Sequence, residues 1–343
     1  MTDEQWEQLI AVINGQRVDP LPVGFIIDSP WLPGWAGIST LDYYASEGMW
    51  LDANLKACSR FPEISFLPGF WSEFGMCTEP SAFGAKCTWH ENDLPFADKT
   101  IADLAQVADL AAPNPACDGL APFVLRRLQH TQARIEQQGH AIRFAVARGP
   151  LNVASFLMGT TELLMATQMN PDQVHQLLDT ITAYLVDWIK LQAHTFDSID
   201  GVLVLDDIVG FIGDNDFQTF AGPYLKRTFE AIDASVRFFH NDAAGLVCAP
   251  HLSDLGVNLF NFSHDHSLPQ MRELAGDSVT LLGNIPPRDV LAAGMPHDVE
   301  NAVADALHSI DDKSRLILSC GGGMPPDVST QNIEAFLSAS RAV

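Results

Sequence analysis

The chain has 343 residues, of which 47% are hydrophobic and 18% charged, a composition that can bury a large core and that disordered chains lack. Its 43 acidic against 19 basic residues give a formal charge of −24, a surface that repels nucleic-acid backbones, and no basic run offers a local exception. Apolar runs are short and broken by Asp, Pro and Gly, and Met1-Thr2-Asp3-Glu4-Gln5 has neither the basic nor the apolar part of an export signal. The expectation is a cytoplasmic protein without a membrane span. None of the six cysteines forms a C-x-x-C pair, so reduced thiols are expected rather than a zinc ribbon or a disulfide framework.

Thr2-x-x-Gln5 reads as a capping box opening an amphipathic helix to about Asn14. A repeated pattern follows, in which a short apolar run ends in a polar residue or Gly/Pro and a helical stretch comes next. The runs are residues 23–27 (ending at Asp28), 64–67, 142–147 (ending at Arg148), 201–205 (Asp206-Asp207), 236–239 (His240-Asn241-Asp242), 258–262 (near His264-Asp265-His266), 279–283 (Asn284) and 315–318 (Ser319-Cys320). Helical spacing is expected over 171–196, 216–235, 271–275, 296–310 and 332–341.

Alternating strands and helices require parallel pairing with crossovers, and eight units favour a closed barrel over an open sheet. No G-x-G-x-x-G follows the first run, and Gly321-Gly322-Gly323 comes too late for the usual dinucleotide fold. The fold class expected is one (β/α)8 TIM barrel spanning 1–343. Residues 68–141 form the main insertion, part of which is expected to lid the barrel mouth.

Catalysis in such barrels uses residues at the C-terminal ends of strands. Asp206 and Asp207 offer adjacent carboxylates for acid/base work, for holding a cation or for capping a helix, and Asn284 ends the seventh run. His240, Asp242 and Cys320 are the sharpest set for a borderline metal such as zinc, with Cys77 or Glu79 from the loop after the second run able to complete it. Asp28, Trp71, Arg148, His264 and His266 are expected to face a small-molecule substrate. The bland alternative for each is a cap, a turn former or a core residue.

Several segments, in order, resemble the uroporphyrinogen decarboxylase superfamily. They are Arg148-Gly149-Pro150-Leu151-Asn152-Val153-Ala154-Ser155, Leu205-Asp206-Asp207, Gly222-Pro223-Tyr224-Leu225-Lys226-Arg227, Phe239-His240-Asn241-Asp242, Gly283-Asn284-Ile285 and Cys320-Gly321-Gly322-Gly323-Met324-Pro325-Pro326 with Asn332-Ile333. The resemblance implies a single (β/α)8 barrel. The family's true decarboxylases carry an arginine-rich segment near the N-terminus. Here Val23-Gly24-Phe25-Ile26-Ile27-Asp28-Ser29-Pro30-Trp31 contains no arginine, which argues against a polyanionic porphyrinogen. The methyltransferase branch uses zinc through H-x-C and a distant Cys. His240 and Cys320 match that pattern, whereas Asp242 stands where the first Cys would be. The expected function is therefore metal-assisted methyl transfer, with zinc and with a corrinoid supplied by a partner protein. A cofactor-free decarboxylase of a small acid is the alternative.

Overall fold

A computed structural model describes residues 1–342. Eight parallel strands carry the fold: Val23–Ile26, Ile64–Leu67, Phe144–Arg148, Gly201–Leu205, Val236–Asn241, Leu259–Phe262, Thr280–Ile285 and Leu316–Cys320. They are called first to eighth below. Helices lie between them, as a (β/α)8 barrel requires. Most strand residues are buried, because one face meets the barrel interior and the other the helices. This is why the strands read as continuous apolar runs rather than alternating ones.

The barrel has two apolar cores. Ile26, Leu203, Phe238, Leu282 and Ile317 belong to the inner one, which is completed by Trp6, Leu9, Val12 and Ile13 of helix Asp3–Ile13. That helix plugs the end where strands begin, and Trp6 meets Phe144 edge-on at 5.5 Å. Its capping box on Thr2 and Gln5 is present as expected. The outer core lies between strands and helices and includes Leu185, Trp188 and Ile189 of helix Pro171–Thr195.

Hydrogen-bonded neighbours run second, first, eighth, seventh, sixth, fifth, fourth, third. The second and third strands are thus the two ends of the sheet, and the ring has a seam between them. Side chains take over the ladder there. Gln192, on helix Pro171–Thr195, accepts from the Val146 N–H at 3.0 Å and donates to the Val146 carbonyl at 2.9 Å. Glu79 Oε1 accepts the Arg148 N–H at 2.9 Å. Without these partners the buried backbone groups of an unpaired strand would stand unsatisfied. A small cavity of about 20 Å³ lies behind the seam, walled in part by Trp71, Glu73, Glu79, Val146 and Gln192.

The strands agree with the apolar runs to within a few residues, and polar residues end them. The helix expected over 216–235 differs. Phe217–Ala221 is widened into a π-turn, and the regular helix Gly222–Phe229 ends earlier. Pro223 lacks an N–H and crowds the carbonyl four residues back, so the preceding turn opens. The insertion holds helix Ala121–Gln137 and a two-stranded hairpin, Cys87–Thr88 with Phe96–Ala97. All six cysteines are free.

Candidate active site

The fifth strand ends in His240 and Asn241, with Asp242 next, and Asp207 follows the neighbouring fourth strand. His240 Nε2 lies 3.9 Å from Asp207 Oδ1 and 3.9 Å from Asp242 Oδ2. The three ligand atoms fall within 4.8 Å of one another, and among the described residues no other set of three His, Cys, Asp or Glu does so. Asp207 Oδ1 also accepts the Asp242 N–H at 3.1 Å, which ties the two loops together. The His240 side chain is 7% exposed, whereas those of Asp207 and Asp242 are 31% and 51% exposed. Partial burial pushes the Asp207 carboxyl above its usual range, and His240 opposes the shift. Behind the ring, His240 Nδ1 is 2.8 Å from Asn261 Oδ1 on the sixth strand.

One nitrogen and two carboxylates suit zinc or a similar borderline ion. Tetrahedral bonds of ~2.1 Å place ligand atoms roughly 3.4 Å apart. The two 3.9 Å separations from His240 are therefore about 0.5 Å wider than a closed site requires, and the two carboxylates lie within 4.8 Å of each other. The residues fit the ion with a small inward movement of two partly exposed side chains.

Cys320, Cys77 and Glu79 do not join this group. Cys320 is fully buried, its thiol donates to the Gly322 carbonyl at 3.3 Å, and burial pushes it up to about 12. Cys77 is buried in the turn Gly75–Cys77, and burial likewise raises its thiol. Glu79 serves the seam. The glycines after Cys320 let other segments approach: a Cβ on Gly321 would lie 2.5 Å from the His264 backbone nitrogen, and one on Gly322 3.1 Å from Asp242 Oδ2.

His264 is partly exposed beside Asp265, with 3.6 Å between ring nitrogen and carboxylate. His266 is buried and its Nε2 accepts the Gly245 N–H at 3.0 Å, so the two histidines do not act as a chelating pair. Asn284 donates to the His266 carbonyl. Asp206 is fully buried and accepts the Leu151 N–H at 2.9 Å, anchoring the start of helix Pro150–Met158. Burial, with the charge of Asp207 second, pushes its carboxyl up to about 8. A Cβ on Gly149 would meet Asp206 Oδ2 at 2.3 Å, so only glycine fits there.

Across the mouth, the ends of the first, second and third strands bring Asp28, Glu73 and Arg148 together. The Arg148 guanidinium pairs with Glu73 and lies 5.6 Å from the Trp71 ring centroid. Asp28 Oδ2 accepts from the Ser29 hydroxyl at 3.0 Å, while Asp28 Oδ1 and Glu79 Oε2 are buried without partners. Burial raises all three carboxyls, Glu73 well above its usual range. Burial also opposes the Arg148 charge, but Glu73, Glu79 and Asp28 outweigh it. Sequence reasoning assigned no role to Glu73 or Asn261. The signal for Asn261 is an amide inside the otherwise apolar strand Leu259–Phe262.

The family model for uroporphyrinogen decarboxylase (URO-D) matches residues 4–343. Relatives include the uroporphyrinogen decarboxylase of Chloroherpeton thalassium, 26% identical over 270 residues, which span 75% of this chain and 74% of that protein. That of Dichelobacter nodosus is 22% identical over 349 residues, 96% of this chain and 95% of the relative. Among solved structures, a methyltransferase from Methanosarcina mazei superposes with a TM-score of 0.81 at 19% identity, covering 97% of each chain. A B12-independent methionine synthase from Shewanella sp. W3-18-1 superposes at 0.54 with 13% identity, over 93% of this chain and 95% of the other. These likenesses share the barrel, and no helix among the described residues is long and apolar enough to cross a membrane. By the match along nearly its whole length, the chain belongs to the uroporphyrinogen decarboxylase family.

Proposed function

We propose that this protein is a methyltransferase that moves a methyl group between a small methylated substrate or thiol and a corrinoid protein, assisted by one divalent ion, zinc by the chemistry of its ligands. The observation that carries the reading is the convergence of His240 Nε2 with Asp207 and Asp242 at the barrel mouth. Asp207 and Asp242 supply oxygen ligands, and their exposure leaves the outer side of the site open to substrate. When bound, the ion would supply Lewis acidity, polarising a methoxy oxygen or favouring the thiolate form of an acceptor. In this reading Asp28, Trp71 and Arg148, grouped across the barrel from the metal ligands, would orient a small substrate. The likeness of fold to the Methanosarcina mazei methyltransferase supports this reading.

The family name favours a second reading, decarboxylation of a small acid without a cofactor. The raised carboxyl of Asp28 beside Arg148 supports it, because a carboxylic acid can protonate a carbanion. Uroporphyrinogen itself fits poorly. Arg148 is the one arginine or lysine among the strand-end residues, and Glu73 already occupies it.

Metal analysis of freshly purified protein, followed by incubation with a methylated corrinoid protein and candidate thiols, separates the readings. One equivalent of zinc that is lost together with methyl transfer in His240→Ala is the expected result. A metal-free preparation that releases carbon dioxide from a small acid at full rate would replace methyl transfer with decarboxylation.

A further inference from the structure

Asn261 makes three hydrogen bonds at the mouth, and together they leave its amide one orientation. Its Nδ2 donates to the Leu282 carbonyl at 2.8 Å and to the Cys320 carbonyl at 3.1 Å. Both are backbone acceptors that cannot exchange roles, so the amide nitrogen must face the seventh and eighth strands. The amide oxygen is then left to face His240 Nδ1, 2.8 Å away on the fifth strand. An amide oxygen only accepts, so Nδ1 must carry a proton, and in the neutral ring Nε2 then keeps its lone pair. Nε2 is the atom that looks toward Asp207 and Asp242. Asn261 is itself fully buried, so no solvent competes for these bonds.

We infer that Asn261 is the positioning residue of the candidate metal centre: by clamping two carbonyls it fixes the tautomer of His240 and presents Nε2 as a ligand. The inference rests on the metal-assisted reading proposed above, but the tautomer it assigns belongs to the protein alone. An imidazole free to rotate or to move its proton to Nε2 would place a hydrogen where a cation must sit. Four consecutive strands, from the fifth to the eighth, meet at this single side chain, so the ring is held by the barrel wall rather than by a loop.

Two substitutions separate positioning from simple strand bracing. Asn261→Asp keeps an acceptor for Nδ1–H and loses both donors to carbonyls. Asn261→Leu loses all three bonds. Both should be less stable than the natural protein, because each leaves buried carbonyls unpaired. If Asn261 positions His240, zinc affinity in the Asp variant stays within a few-fold of the natural protein despite its lower stability. In the Leu variant it falls by ~10–100-fold, the usual cost of losing such an outer partner. Affinity that falls equally in both variants, in step with stability, would reduce Asn261 to a brace. A second measurement needs neither metal nor activity. Nitrogen NMR of the metal-free protein at a pH where the ring is neutral, with His240 assigned through His240→Ala, should show Nδ1 protonated and Nε2 not. The opposite tautomer overturns the assignment even if zinc binds, and the expected tautomer without zinc binding overturns the metal-centre reading alone.

Discussion

The two sides of the barrel mouth use the same kinds of side chain for different ends. On one side Asp207, His240 and Asp242 sit where the strands are fully hydrogen-bonded to their neighbours, and the two carboxylates reach solvent. On the other, Glu73, Glu79 and Arg148 sit at the seam with Asp28 of the first strand beside them, and their exposure is small. Where the backbone satisfies itself, carboxylates are free to take a cation. Where it does not, Glu79 is spent on the Arg148 N–H and Glu73 on its guanidinium, and burial raises the Asp28 carboxyl. Charge in the barrel mouth therefore depends on strand pairing beneath it.

The largest effect expected from breaking this contrast is at His240. His240→Ala should lower zinc affinity by more than ~100-fold, beyond the usual cost of losing an outer partner. It should cost only ~1–3 kcal/mol of stability, since one acceptor on Asn261 is stranded. Equilibrium dialysis and urea unfolding on the same preparation check both halves.

Next is Arg148→Met. Removing one partner of a buried ion pair leaves Glu73 uncompensated, and such losses cost ~3–5 kcal/mol. Adding Glu73→Gln should recover part of that, because the stranded charge goes too. Zinc affinity should hardly move. Unchanged stability with lost zinc would mean that the two sides are one site.

Most of the barrel is legible in the sequence because each strand is a largely apolar run closed by a polar residue or by Gly or Pro. The seam is not legible. It depends on which distant strands fail to pair, and residues 64–67 and 144–148 look as pairable as any others. Gln192 continues the spacing of Ile181, Leu185, Trp188 and Ile189 along its helix, so its place on the inner face could be inferred. That it serves Val146 could not. The same holds for the site. His240 and Asp242 stand out as strand-end ligands, but the choice of Asp207 over its neighbour Asp206 depends on which of them turns inward. Cys320 illustrates the limit: its place at a strand end is readable, whereas its bond to the Gly322 carbonyl is not.

A smaller effect should follow from Gln192→Leu. The variant fills the same space and strands the Val146 N–H and carbonyl, a loss of ~1–3 kcal/mol. Hydrogen exchange should locate it, with faster exchange confined to the third strand. Exchange that quickens evenly around the barrel would mean that the seam is not a separate weak point.

The smallest effect expected is at Asp206, and it sharpens the contrast between adjacent carboxylates. Asp207 reaches solvent, whereas Asp206 is fully buried with its carboxyl pushed up to about 8 from 3.8. Between those values the folded protein holds a proton that the unfolded chain has released. The folded state binds more protons there, so this residue's contribution to stability is complete below about pH 4 and falls as pH rises toward 8. One such group can impose a slope of at most ~1.4 kcal/mol per pH unit. Asn keeps an oxygen for the Leu151 N–H but places an amide nitrogen where Asp206 Oδ1 has no partner, a cost that is the same at every pH. Asp206→Asn should therefore leave the fold and zinc affinity unchanged. Relative to the natural protein, it should gain roughly 2 kcal/mol on going from pH 6 to pH 8. Urea unfolding at the two pH values measures this. Equal slopes in the two proteins would mean that Asp206 is ionised in its buried place, and the division between a proton-holding aspartate and the candidate ligand beside it would fail at its closest pair.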